Sequence, residues 1–258
     1  MILELGLWDL EFGIWNFLFG HSVLGCFFSL NCDKHIYMKL FFFSLVVMLT
    51  ASFVTQKKTR VIFFGDSITQ AGVNAGGYIM RIDSLCKAEG KAGNYEFIGA
   101  GISGNKVYDL YLRMENDVLA KNPDVVLIYI GVNDVWHKAS SGTGTDADKF
   151  DKFYQAIIDK LKTMNIKVIL CTPAAIGEKT DFSNPQDGDM NEYSNIIRRI
   201  ALKNNLTLVD LRKAFLDYNL KNNSSNKDRG ILTTDRVHLN PAGNQLVADE
   251  MWGVIKKL

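Results

Sequence analysis

The stretch Val61-Ile62-Phe63-Phe64-Gly65-Asp66-Ser67-Ile68-Thr69-Gln70 decides the fold. Its first four residues are apolar, β-branched or aromatic, the composition of a strand covered on both faces as in a parallel sheet. Gly65 ends the run, and Asp66-Ser67 stand where the chain must turn toward a helix. A serine there lies at the carboxyl end of a parallel strand, where open α/β sheets place their ligands. It also lies near a helix N-terminus, which can hold a nucleophile. Most Asp-Ser pairs after a strand are no more than an N-cap. The choice depends on what the rest of the chain supplies.

Downstream, short β-rich runs alternate with helical periodicity, the signature of βαβ units. Thr59–Phe64, Tyr95–Ala100, Val125–Ile130, Lys167–Cys171 and Leu206–Val209 read as strands. Val125–Ile130 is apolar throughout and therefore central. Tyr78–Glu89 reads as a helix after the glycine-rich connection 72–77. Val107, Leu110, Tyr111, Met114, Val118 and Leu119 mark a second helix, closed by Pro123-Asp124. The cleanest period is Phe150, Phe153, Tyr154, Ile157, Ile158 and Leu161, an apolar face turned to a core. A further helix spans Asn191–Asn204, and the last runs from Pro241, suited to a first turn, to about Lys256. Segments 136–145, 173–189 and 221–230 read as polar connections. The expected architecture is a three-layer α/β/α sandwich around a mostly parallel five-stranded sheet.

At 258 residues and 47% hydrophobic, the chain can bury one large core. Its 29 basic and 28 acidic residues leave a net charge of +1, which gives no electrostatic case for nucleic acid or an anionic membrane surface. Of four cysteines, Cys26 and Cys32 lie near the N-terminus. Cys86 falls on a helix and Cys171 ends a strand, so both read as buried thiols and not as a bridge.

Residues 40–49, Leu-Phe-Phe-Phe-Ser-Leu-Val-Val-Met-Leu, follow Met38-Lys39 and precede Thr50, Ala51 and Ser52. That is the layout of a secretory signal peptide, too short for a membrane span of about 20 apolar residues. Residues 38–56 are therefore read as a leader, cleaved between Ala51 and Gln56, with a secreted or periplasmic mature domain at 57–258. Residues 1–37 place acidic Glu4, Asp9 and Glu11 ahead of a second apolar stretch. They read as a mis-assigned extension, with Met38 the biological start; a membrane-inserted segment around 14–30 is the competing reading.

Three loops follow strands and carry polar residues: Asp66-Ser67, Gly104-Asn105 and Asn133-Asp134. Parallel strands bring them to one sheet edge. A serine nucleophile needs a base, and outside the N-terminal region only His137 and His238 are present. In Thr234-Asp235-Arg236-Val237-His238, an aspartate three residues ahead of a histidine can curl back to accept the imidazole Nδ1–H. Taken singly, His238 is a capped surface histidine, Asp235 a turn residue and Asn133-Asp134 a turn. His137 and Trp136 sit close enough to line a pocket, and a solvated position for His137 is an equal reading.

Jointly these stretches resemble the SGNH hydrolases, also called the GDSL esterase/lipase family. Four blocks occur in order: Gly65-Asp66-Ser67-Ile68-Thr69, Gly101-Ile102-Ser103-Gly104-Asn105, Gly131-Val132-Asn133-Asp134 and Asp235-Arg236-Val237-His238. The resemblance covers residues 58–258. It implies a flavodoxin-like SGNH hydrolase fold and a triad of Ser67, His238 and Asp235. It further implies an oxyanion hole made by the backbone N–H of Ser67, the backbone N–H of Gly104 and the side-chain amide of Asn133. It implies no metal and no cofactor. Asp66 and Asp134 are expected to hold loops by accepting backbone hydrogen bonds. The expected reaction is hydrolysis of a carboxylic ester through an acyl-serine.

The substrate side of 71–77, 135–145 and 174–189 is polar and glycine-rich, which favours short acyl groups such as acetyl esters on carbohydrates. Lysophospholipase or thioesterase action, O-acyl transfer to a sugar, and a non-catalytic carbohydrate-binding protein on the same fold are the alternatives. The expected partner is a small-molecule or carbohydrate ester, with no nucleic acid and no stable membrane span after leader removal.

Overall fold

Residues 57–258, together with Phe41 and Phe43, which are helical, are described by a computed structural model. The extension assigned to 1–37 and all but those two residues of the assigned leader lie outside the described residues. Gln56–Leu258 forms one compact unit.

Five strands build the sheet: β1 (Thr59–Gly65), β2 (Tyr95–Gly101), β3 (Val125–Tyr129), β4 (Lys167–Cys171) and β5 (Thr207–Val209). Their order is β2-β1-β3-β4-β5, and every pairing is parallel. "Mostly parallel" thus becomes wholly parallel. The Val61–Phe64 run lies between two neighbours, with Phe63 opposite Gly99 on β2 and Leu127 on β3. Val61, Ile62, Phe63 and Phe64 have no exposed surface. The chain leaves β1 for β2 on one side and then crosses to β3 on the other. The strand order therefore reverses at β1/β3, and Ser67 stands at the switch point where such sheets bind ligands.

The helices are α1 (Ser67–Gly72), α2 (Tyr78–Ala88), α3 (Val107–Asp117), α4 (Val132–Ser141), α5 (Ala147–Thr163), α6 (Asp187–Asn204), α7 (Leu211–Asn222) and α8 (Pro241–Ile255). Right-handed crossovers put α3, α5 and α6 on one face of the sheet, and α2 packs with α8 on the other. On α5 the predicted stripe is buried at Phe150, Tyr154, Ile157, Ile158 and Leu161, each worth roughly 1.5–3 kcal/mol of apolar burial. Phe153 is only partly buried and meets Tyr108 and Tyr111 of α3 instead.

Three elements differ from expectation. Of the segment 136–145 assigned as a loop, Trp136–Ser141 belong to α4, which ends at Gly142 in a left-handed conformation, and 142–145 lie outside any helix as expected. Val132, Val135 and Trp136, at i, i+3 and i+4, anchor one face to the core and outweigh the weak propensity of the serines. Helix α7 carries no clean apolar period; only Leu211, Arg212, Phe215 and Asn219 are buried. Helix α6 begins four residues earlier than expected, at Asp187, which places two acidic residues in its first turn, where the helix dipole favours them. Cys86 and Cys171 are both buried free thiols. Among the described residues no helix is long and apolar enough to cross a membrane.

Candidate active site

Helix α1 settles the roles of Asp66 and Ser67. Asp66 is the N-cap: its Oδ1 accepts the Ile68 N–H at 3.0 Å. Ser67 is thereby left as the first helical residue, its hydroxyl uncommitted to capping. Gly65 is required by close approach, because a Cβ there would lie 2.4 Å from the Tyr129 carbonyl oxygen and 2.3 Å from Thr69 Oγ1. The strand-to-helix turn can therefore be this tight only with glycine before Asp66.

The Ser67 Oγ lies 3.0 Å from His238 Nε2. The other ring nitrogen, Nδ1, lies 2.7 Å from Asp235 Oδ2. Asp235 Oδ1 also accepts the backbone N–H groups of His238 at 2.8 Å and Val237 at 3.1 Å. Burial raises the Asp235 carboxyl, but the bonds from the His238 ring, His238 N–H and Val237 N–H outweigh it and hold the group below its usual value. Asp235 is thus a carboxylate at neutral pH, fit to keep the Nδ1 proton in place and leave Nε2 as the basic nitrogen. The three predicted residues come together although Ser67 and His238 are 171 positions apart.

The Asp–His loop is pinned from below. Thr233 and Leu239 form an antiparallel bridge, and Thr234 N–H donates to the His238 carbonyl at 2.8 Å. Arg236 at the tip has φ +86°, a conformation that costs a non-glycine residue on the order of 1–3 kcal/mol. Its carbonyl accepts Gly177 N–H at 2.8 Å and its guanidinium meets Asp228 at 2.7 Å, which holds it there. Buried Glu178 accepts the N–H groups of Ile231, Leu232 and Thr233 at 2.8, 2.7 and 2.5 Å. Glu178 lay in a stretch read only as a polar connection, and no spacing in the sequence announces it.

On the other side, Gly104 has φ +77°, a left-handed conformation natural to glycine. A Cβ there would meet only His137 Cε1, at 3.9 Å, so conformation and not protein crowding demands the glycine. The Gly104 and Ser67 N–H groups have no acceptor among the described residues. Asn133 is buried, and its Nδ2 donates one N–H to the Asn105 carbonyl at 3.0 Å, leaving its second N–H. Arg113 fixes this loop from α3: it donates to the Gly65 and Ala100 carbonyls at 2.8 and 2.9 Å and to Asn105 Oδ1 at 2.6 Å. Sequence reading missed Arg113, whose only local signal is its i,i+4 pair with Asp117.

Two buried carboxyls flank the site. Burial pushes Asp66 up to about 6, opposed by the Ile68 N–H bond and by His238. Burial pushes Asp134 up to about 7; Thr145 and the Val107 N–H lower it. Asp134 Oδ1 accepts that Val107 N–H at 3.2 Å, while its Oδ2 and the Thr145 hydroxyl complete no well-formed bond. Both aspartates thus hold backbone, as expected from the sequence. His137 lies on α4, and burial lowers its pKa. A groove of about 500 Å³ between α5 and α6, lined by Asp148, Asp151, Glu192 and Arg199, contains none of these groups.

Residues 63–246 match the model of the GDSL-like lipase/acylhydrolase family. A crystal structure of an acetyl xylan esterase, AlAXEase, is 70% identical with a TM-score of 0.75, over 76% of this chain and 99% of that one. An acetylxylan esterase of Geobacillus stearothermophilus is 31% identical over 73% of this chain and 90% of its own length. Two catalytic mutants of the acetylxylan esterase Axe2 from that organism, one serine-to-alanine and one aspartate-to-alanine, also match. They are 28% and 29% identical, each over 77% of this chain and 94% of that one, with a TM-score of 0.67 in both cases. With its family match spanning most of the folded domain, the chain belongs to the GDSL-like lipase/acylhydrolase family and is a hydrolase of carboxylic esters.

Proposed function

We propose that the protein removes acetyl groups from acetylated carbohydrate, with xylan as the leading polymer, through an acyl-enzyme on Ser67. The continuous chain Ser67 Oγ–His238–Asp235, with contacts of 3.0 and 2.7 Å, carries the reading. The 70% identity to an acetyl xylan esterase supports the acetyl and carbohydrate parts of it.

In this reading His238 Nε2 takes the Ser67 proton as Oγ attacks the ester carbonyl, and Asp235 stabilises the imidazolium. The Ser67 and Gly104 N–H groups and the second N–H of Asn133 receive the developing oxyanion. Preorganised donors of this kind contribute on the order of 3 kcal/mol each. His238 then protonates the leaving sugar oxygen, releasing the free hydroxyl, and water repeats the sequence on the acetyl-serine. Secretion through a leader at residues 38–56 suits a polymeric substrate that cannot enter a cell; N-terminal sequencing of the native precursor checks it, and any peptide from 1–37 contradicts the Met38 start.

The test is an acyl series from acetyl to octanoyl on one alcohol, run beside acetylated xylan with and without acceptor sugar. The reading expects kcat/KM to be highest for acetyl and to fall with chain length, and free acetate to appear from xylan. Faster turnover of long chains would place the protein with lipid hydrolases. Preferential acylation of the acceptor would make it a transferase.

A further inference from the structure

We propose that Lys106 is a positioning residue for the oxyanion hole, anchoring the Gly104 carbonyl and setting a positive charge beside it. The proposal rests on the reading of Gly104 as an oxyanion donor.

Lys106 immediately follows the Gly104-Asn105 turn, and only 7% of its surface is exposed. Lysine is among the residues least often buried without an ionic partner. Yet among the described residues Lys106 forms no ion pair. Its Nζ lies 3.5 Å from the Gly104 carbonyl oxygen and over the face of the Tyr108 ring, 5.6 Å from the centroid, and its charge is also felt at His137 on α4. Its own N–H donates to Asp109 Oδ2 at 2.9 Å, which fixes the start of α3 and the direction in which the side chain leaves. The ammonium thus doubles back over its own loop to the peptide next to the candidate donor.

Nothing in that placement stabilises the fold well. A contact at 3.5 Å is at the limit of a hydrogen bond, and a buried charge without a counterion is a liability. A residue held at a cost to stability points to activity. The Gly104 peptide is where such a charge acts usefully. It restrains a left-handed glycine by its carbonyl, and its field favours negative charge arising nearby. Asp134, a buried carboxyl that feels the charge of Lys106, makes no ion pair with it. The lysine's pull is therefore left for the reaction.

The experiment compares Lys106→Met, of similar length and without charge, with the wild type. Three quantities are read: kcat and KM on an aryl acetate, the inhibition constant of ethylboronic acid, which forms a tetrahedral anion on the serine, and Tm. The expected result is a fall in kcat of about tenfold or more with KM within about threefold, and a boronate affinity weakened in parallel. Tm is expected to hold or rise. A smaller loss of kcat, an unchanged boronate affinity, or a Tm lowered by more than about 5 °C, the mark of a structural role, overturns the proposal. Asn133→Ala is measured alongside. If it weakens the boronate and Lys106→Met does not, only the Lys106 assignment falls; if neither does, the oxyanion reading itself has failed.

Discussion

Ser67, His238 and Asp235 divide the work unequally, and their exposure says how. Ser67 is half-buried in the first turn of α1, while the Asp235 side chain is 48% exposed. Water therefore screens the Asp235–His238 attraction, and the carboxylate's value lies in direction: it accepts Nδ1–H and so selects which nitrogen faces the serine. Asp235→Asn keeps the shape but can present an N–H toward Nδ1, favouring the wrong tautomer. The expected loss in kcat on an aryl acetate is about 10²- to 10⁴-fold with KM little changed. A variant within threefold of wild type would show that His238 needs no orienting acid. Asp66, one residue from the nucleophile, caps α1 and does not touch the imidazole, so Asp66→Asn, which can still accept the Ile68 N–H, is expected to cost far less than Asp235→Asn in the same assay.

The elements that carry the triad are held by groups outside it. The segment 231–233 enters the Asp–His loop with its amides bound to Glu178, a buried carboxylate acting as a three-way acceptor. Glu178→Gln replaces one accepting oxygen by an NH₂ that faces an N–H, and an unmade buried bond costs about 1–3 kcal/mol. Tm should fall by several degrees and kcat should drop with KM nearly unchanged, as the histidine loses its fixed approach; unchanged Tm would show the segment is held otherwise. This contact also marks where the sequence stops being legible. Strands β1 and β3 could be read because four or five consecutive apolar residues have no other home than a doubly covered strand. The triad could be read because four short blocks coincide in order. Helix α4 could not, since Ser140-Ser141 and the glycines that follow argue for a loop and only the packing of Val132, Val135 and Trp136 decides otherwise. Glu178, Arg113 and Lys106 could not either: each acts through contacts between distant backbone groups, which leave no period or spacing in the chain.

For the whole molecule, the buried carboxyls make stability depend on pH in a definite direction. Asp134 titrates at about 7 and Asp66 at about 6 when folded, against 3.8 as the ordinary value. Between about pH 4 and 7 the folded protein keeps protons that the unfolded chain has released, so these two groups make stability fall as pH rises, with no further loss above pH 7. Asp124, Asp210 and Asp235 are held below their ordinary values and act oppositely, losing stability only below about pH 4. Asp134→Asn should therefore gain Tm relative to wild type as pH rises from 4.5 to 7.5, by several degrees; a difference constant with pH would mean Asp134 is ionised in the folded state. The role proposed for Ser67, placed at the switch point of a parallel sheet and served by His238, is that of the nucleophile. Its most direct measurement is covalent capture: react the protein with one equivalent of diethyl p-nitrophenyl phosphate, follow loss of acetylesterase activity, and map the adduct by peptide mass spectrometry. Complete inactivation is expected with one diethylphosphoryl group on the peptide bearing Ser67, and neither label nor activity in Ser67→Ala. Inactivation with the label elsewhere, or a Ser67→Ala protein that hydrolyses acetate esters at the wild-type rate, would contradict it.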